Sequence, residues 1–134
     1  MVRGSKAPAR KREKHMATRT PWGMSDYREE LAPGIIWYGT PSHGGCHLDP
    51  CANSKIHDAW RRADGWYEED CDWAIVAFHF PQAFLKDYRQ AIDTLRNWHP
   101  KAYMQVTGVE LRPDESYMLR KESQGFRDWL TQKH

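Results

Sequence analysis

Long apolar runs are missing from this chain: none of its 134 residues lies in anything close to the roughly 18 consecutive apolar residues that a bilayer-spanning helix needs. Cysteine is scarce. Cys46, Cys51 and Cys71 are odd in number, and the first twenty residues contain no apolar core of the kind a secretory signal carries. A disulfide scaffold is therefore excluded, reduced thiols are expected, and the expected location is the cytoplasm. A serine-nucleophile signature is also absent, because Ser42 stands beside His43 without the G-x-S-x-G surroundings of a nucleophile elbow. Internal repeats are lacking. Finally, acidic residues are almost absent from residues 1–20, where Arg3, Lys6, Arg10, Lys11, Arg12, Lys14 and Arg19 face Glu13 alone, a net charge of +6. The 13 basic and 17 acidic residues that follow leave the remainder at −4.

Aromatic mass, in contrast, is plentiful, with seven Trp and 40% apolar residues. Such side chains must be buried somewhere, so the body folds. The length supports one domain, expected over residues 21–134 behind a disordered basic tail at 1–20. Arg10, Lys11, Arg12 and Lys14 make that tail a candidate nucleic-acid arm, with a solubilising extension of no function as the plainer reading. About five of the seven Trp are expected in the core on ordinary burial preferences.

Local signals point to an α+β fold. Ile35-Ile36-Trp37-Tyr38 after Ala32-Pro33-Gly34 reads as a strand, and Cys46-His47-Leu48 as a second one. Between them, Pro41 to Gly45 reads as a loop whose paired glycines permit positive φ. Ile56, Ala59, Trp60 and Ala63 recur at helical spacing and predict a short helix from Asn53 or Ser54 to Gly65. The run Trp73–Phe80 suits either a buried strand or a helix, and the acidic residues just before it tip the reading to helix. Phe84 through Trp98 gives the clearest amphipathic pattern, a helix over about 82–98 that His99-Pro100 stops. Tyr103–Thr107 reads as a strand, and Asp114 as the cap of a last helix bent at Gly125. The expected architecture is a small antiparallel sheet of two to three strands covered by the 82–98 helix and a smaller one.

Three constellations could carry chemistry. His43, Cys46, His47 and Cys51 hold the donor types of a tetrahedral zinc site, but the H-x₂-C-H-x₃-C spacing is not a zinc pattern, and adjacent strand residues point apart. No bound cofactor is therefore favoured. His43 on its glycine-flanked loop, with Glu68, Glu69 and Asp70, could instead form an acid–base site, with His43 as base and the carboxylates orienting it or holding zinc or magnesium. The plainer reading places Glu68 and Glu69 at a helix start, offsetting exposed N–H groups. Last, surplus aromatics such as Trp22, Trp66 and Tyr67, together with Gly44, Gly45, Arg61 and Arg62, could form a binding surface.

Thr20-Pro21-Trp22-Gly23, Ala32-Pro33-Gly34-Ile35, Thr40-Pro41-Ser42-His43-Gly44-Gly45, Gly65-Trp66-Tyr67-Glu68-Glu69-Asp70-Cys71 and Leu95-Arg96-Asn97-Trp98 follow one another in that order. Together they resemble a family of small uncharacterised domains encoded by phages, prophages and conjugative elements, over about residues 20–108. The resemblance implies a genomic setting rather than a chemistry, and Cys46 departs from its pattern. Two expectations follow. The first is a non-enzymatic accessory protein of a phage or mobile element that binds a host protein or protein–nucleic-acid complex, with counter-defence inhibition as one form. The second is a small hydrolase-like or metal-assisted enzyme centred on His43, Glu68, Glu69 and Asp70.

Overall fold

The computed structural model describes residues 17–133. Arg10, Lys11, Arg12 and Lys14 thus lie outside the described residues. Arg19 and Thr20, which the charge count assigns to the tail, instead form β1 (Arg19–Thr20), paired antiparallel with β2 (Gly23–Met24). Four further strands, β3 (Tyr27–Ala32), β4 (Ile35–Gly39), β5 (Gly44–Leu48) and β6 (Trp66–Glu68), form an antiparallel sheet in the order β3-β4-β5-β6. The fold is α+β, with one more sheet and one more main-sheet strand than expected. β3 escapes detection because its sequence, Tyr-Arg-Glu-Glu-Leu-Ala, is polar. Charge of this kind suits an edge strand, which it protects against further pairing.

Strand alternation sorts the sheet into two faces. Ile35, Trp37, Cys46, Leu48 and Tyr67 point inward and are buried. Against them packs α2 (Trp73–His79), in which Trp73, Ala74, Ile75, Val76 and Ala77 are all buried. A helix apolar on every side is one surrounded by protein, and this one lies between the sheet and α3 (Tyr88–Trp98). The helix reading of residues 73–80 thus holds. Of the seven Trp, Trp37, Trp60 and Trp73 are buried, Trp22, Trp66 and Trp98 are half-buried, and Trp129 is exposed, fewer core indoles than expected.

Three local expectations are corrected. Residues 54–65 are turns, and only α1 (Pro50–Asn53) is helical, capped by the Asp49 carboxylate on the Ala52 N–H at 2.8 Å. Ile56 and Trp60 are buried all the same, because Arg61 takes over the work of helical hydrogen bonds. Its guanidinium donates to the carbonyls of Asn53 (3.1 Å), Ser54 (3.3 Å) and Ile56 (2.6 Å). The 82–98 helix is split into a 3-10 turn, Pro81–Phe84, and α3 from Tyr88, which leaves Leu85 exposed while Phe84 packs on Trp73. Tyr103–Thr107 belongs to α4 (Pro100–Thr107), not to a strand. Pro100 at its first turn and Gly108 at φ 76° after its end bracket a helix, and that bracket overrides the β propensity of Tyr103, Val106 and Thr107.

The last helix, α5 (Tyr117–Lys133), follows a 3-10 turn at Pro113–Glu115 and runs without a break through Gly125. A Cβ added at Gly125 meets nothing within 4 Å. Gly125→Ala should therefore stabilise the protein by about 0.5–1 kcal/mol, from backbone entropy alone. Chemical denaturation checks this, and a loss of stability would show that α5 needs the glycine.

Two imidazoles make stability depend on pH. His79 Nε2 accepts the His57 N–H at 3.0 Å, and its Nδ1 stands 2.8 Å from the Ile75 carbonyl, so the network assigns a neutral ring protonated at Nδ1. Burial, with some help from His57 and Arg61, holds its pKa below the usual histidine value. Burial also lowers that of His47, though Asp64 and Asp49 oppose it. Both groups therefore bind fewer protons folded than unfolded, and their stabilisation is present above about pH 6.5 and lost as pH falls through the lowered values. The melting temperature should drop between about pH 7.5 and pH 5, and the double change His47→Gln/His79→Gln should flatten the slope. An unchanged slope in that variant would assign the effect elsewhere.

Candidate functional site

His43 ends the turn that leads into β5. Thr40 closes this turn: its N–H and Oγ1 both donate to the His43 carbonyl at 2.7 Å, and its Oγ1 accepts the His43 N–H at 3.1 Å. Register places Gly45 opposite both Tyr38 and Glu68, and His47 opposite both Ile36 and Trp66, on the outer face of the sheet. Gly44 and Gly45 are strand residues. Positive φ among the described residues belongs to Gly23, Gly34, Gly65 and Gly108. What the pair supplies is absence of a side chain. A Cβ on Gly45 would collide with the Trp22 ring and the Tyr67 carbonyl and come within 2.9 Å of the Glu68 Cα. One on Gly44 would lie 2.8 Å from the Tyr38 carbonyl. Gly45 is the seat on which Trp22, carried by the β1–β2 turn, rests.

That indole begins an aromatic strip. Trp22 meets His43 edge-on with ring centres 5.3 Å apart, and meets Trp66 at 5.6 Å. Trp66 in turn contacts Tyr38 at 5.5 Å and His47 at 4.5 Å. Beyond His47 opens a cleft of about 410 Å³ whose lining includes Asn53, Ser54, Arg61 and Asp64.

The acidic run lies along the other side of His43. His43 Nε2 stands 3.4 Å from Glu68 Oε2, and Nδ1 stands 3.5 Å from Glu69 Oε2, with all three side chains partly accessible. Glu68 ends β6 rather than starting a helix, and its carboxylate holds the turn that leads into α2. Its Oε1 accepts the N–H groups of Cys71 (2.7 Å) and Asp72 (3.1 Å), and its Oε2 accepts that of Asp70 (2.8 Å). Glu69 is held over Gly44, whose carbonyl accepts its N–H at 2.9 Å. Asp70 is exposed. The structure thus brings His43 together with Glu68 and Glu69, with Asp70 close by.

Other candidates are placed apart. Cys46 is buried on the inner face, His47 lies on the outer face, and Cys51 is exposed, so the four Cys/His donors are not gathered. Among the described residues, the group with metal-compatible geometry is His43, Glu68 and Asp70, whose donor atoms lie within 4.8 Å of one another. Tyr67 faces the core. Its hydroxyl donates to Asn53 Oδ1 at 2.6 Å and accepts the Arg62 N–H at 3.0 Å, and burial pushes its pKa up. Arg61 has its donors on backbone carbonyls and on Asp58 at 2.7 Å, and Arg62 faces the buried Asp72 at 3.5 Å. Sequence reasoning missed the seat of Trp22, the role of His47 in the strip, and the buried Asp72, which also lies 3.4 Å from His99 Nε2. The one available signal was the alternation of Gly45 and His47 along a strand.

No helix among the described residues is long and apolar enough to cross a membrane. Neither the curated proteins nor the solved structures offer a match to the chain. A family model described as "Domain of unknown function (DUF7007)" matches residues 15–127, and with most of its length so covered the chain belongs to that family.

Proposed function

We propose that this protein works by binding rather than by catalysis, as an accessory protein of a phage or mobile genetic element that docks on a host protein or protein–nucleic-acid complex, with counter-defence inhibition as one concrete form. The observation that carries the reading is the continuous strip of Trp22, Trp66 and His47 over the outer sheet face, backed by the buried Tyr38. The half-buried Trp66 indole, held on a sheet strand, loses little freedom when covered, and Trp and Tyr are enriched at interface hot spots for that reason. Carboxylates flank the strip at both ends, Glu68, Glu69 and Asp70 beside His43 and Asp64 in the cleft beyond His47. That charge, and the net −4 of the chain after residue 20, favour a partner whose contact surface is basic.

Affinity capture from host lysate, followed by titration of the purified partner, tests the reading. The expected partner presents Lys or Arg at the contact, and Trp66→Ala should weaken it at least about tenfold with the fold intact by circular dichroism. A partner that binds Trp66→Ala as well as the parent protein removes the strip from the function.

A second reading is favoured by one observation, the imidazole set between two carboxylates: a small hydrolase-like enzyme with His43 as general base, Glu69 orienting it, and Glu68 and Asp70 completing the site. In that case His43→Ala should abolish turnover while leaving partner capture intact.

A further inference from the structure

We infer that His43, Glu68 and Asp70 form a binding site for one divalent first-row transition-metal ion, with Glu69 as the outer carboxylate that orients His43. The site uses the residues of the enzymatic reading but does not depend on turnover, it adjoins the docking strip at Trp22, and it adds a ligand to the molecule.

Glu68 Oε2 stands 3.4 Å from His43 Nε2 and Glu69 Oε2 stands 3.5 Å from Nδ1, so the two ring nitrogens face different carboxylates. Both distances are longer than the 2.7–2.9 Å of a charge-assisted hydrogen bond. Two ligands each about 2.1 Å from one tetrahedral ion stand about 3.4 Å apart, so a metal ion fits the spacing. A third donor is in place, because His43, Glu68 and Asp70 each bring one ligand atom within 4.8 Å of the others, and the exposed Asp70 side chain has the freedom to close the remaining gap.

Preorganisation supports the same conclusion. The three backbone N–H groups of Asp70, Cys71 and Asp72 fix the Glu68 carboxylate, and Trp22 braces the edge of the His43 ring. A carboxylate on the far nitrogen of a ligating histidine is the usual outer support of metal sites. One imidazole and two carboxylates suit manganese, iron, cobalt or zinc better than magnesium or calcium, which prefer oxygen alone. Such an ion would tie the start of β5 to the turn between β6 and α2.

The test titrates the full chain with Co²⁺, read by visible absorption, and with Mn²⁺, read by electron paramagnetic resonance. About one equivalent of each should bind. His43→Asn should weaken binding at least about 100-fold, Asp70→Asn about tenfold or more, and Glu69→Gln, a positioning change, about 10–100-fold. Asp70→Asn keeps the test valid if the His43 variant fails to fold, because Asp70 is exposed. Metal-induced shifts of the His43 ring nitrogens in the NMR spectrum should show ligation through Nε2. Two results overturn the site: no saturable binding, or binding that persists unchanged in His43→Asn and Asp70→Asn, as it would if Cys51 or His47 held the ion.

Discussion

Gly45→Ala should destabilise the protein by roughly 3 kcal/mol, lowering its melting temperature by about 10 °C or more. The added methyl has no room in any direction, since it meets the Trp22 ring, the Tyr67 carbonyl and, at 2.9 Å, the Glu68 Cα. The indole can swing away, but the Tyr67 and Glu68 backbones are held by the β5–β6 ladder and cannot. The methyl must therefore push the paired strands apart or unseat Trp22, and each outcome disturbs His43 and Glu68 together. A double-mutant cycle separates the two contributions: in a Trp22→Ala background the cost of Gly45→Ala should shrink but not vanish. If the alanine costs less than about 1 kcal/mol, the indole is not seated as described.

Tyr67→Phe should cost about 2 kcal/mol although it deletes a single oxygen. That hydroxyl sits in a closed arrangement with two partners, one of them the buried Asn53 side chain. Asn53 Oδ1 receives its proton at 2.6 Å, the Arg62 N–H points at it at 3.0 Å, and Asn53 Nδ2 closes the circuit on the Arg62 carbonyl at 2.8 Å. Asn53 is only 8% exposed. Phenylalanine keeps the ring packing but removes the partner of the buried Asn53 Oδ1 and of the part-buried Arg62 N–H, which is costlier than losing an exposed hydrogen bond. Because the circuit pins the turns of residues 54–65, the variant should also be cut faster by trypsin after Arg61 or Arg62. Unchanged melting and unchanged proteolysis would mean that those turns are held without it.

Sequence signals succeed here where local chemistry decides the outcome. Ile35–Tyr38 is β-branched and aromatic, and it is a strand. The apolar run at Trp73 is a helix, as the acid before it suggests, although that acid works differently: Glu68 holds the N–H groups of the turn ahead of α2, and no carboxylate caps the helix itself. Signals fail where a distant partner substitutes for a local bond. Nothing in residues 54–65 reveals that Arg61 will gather three carbonyls and so let buried Ile56 and Trp60 sit on turns. At 100–107 the needed cue was present, proline before and glycine after, but it competed with β-branched residues. The site follows the same rule. A histidine beside glycines and an acidic run stand out in one dimension, and they do meet. The reason for Gly45 does not stand out, because the side chain it accommodates, Trp22, lies far away in sequence.

That distance has a kinetic consequence. Trp22 leaves the ribosome well before β5 and β6, the two strands whose backbones make its resting place. The β1–β2 hairpin is too short to hold itself together in water. Until residue 68 has emerged and paired, the indole stays uncovered, so the N-terminal hairpin docks only after the β5–β6 ladder has formed and opens more easily than that ladder. Amide exchange should accordingly be fast at Gly23 and Met24 and slow along Cys46–Leu48. Shaping of the His43 surface then completes folding instead of initiating it.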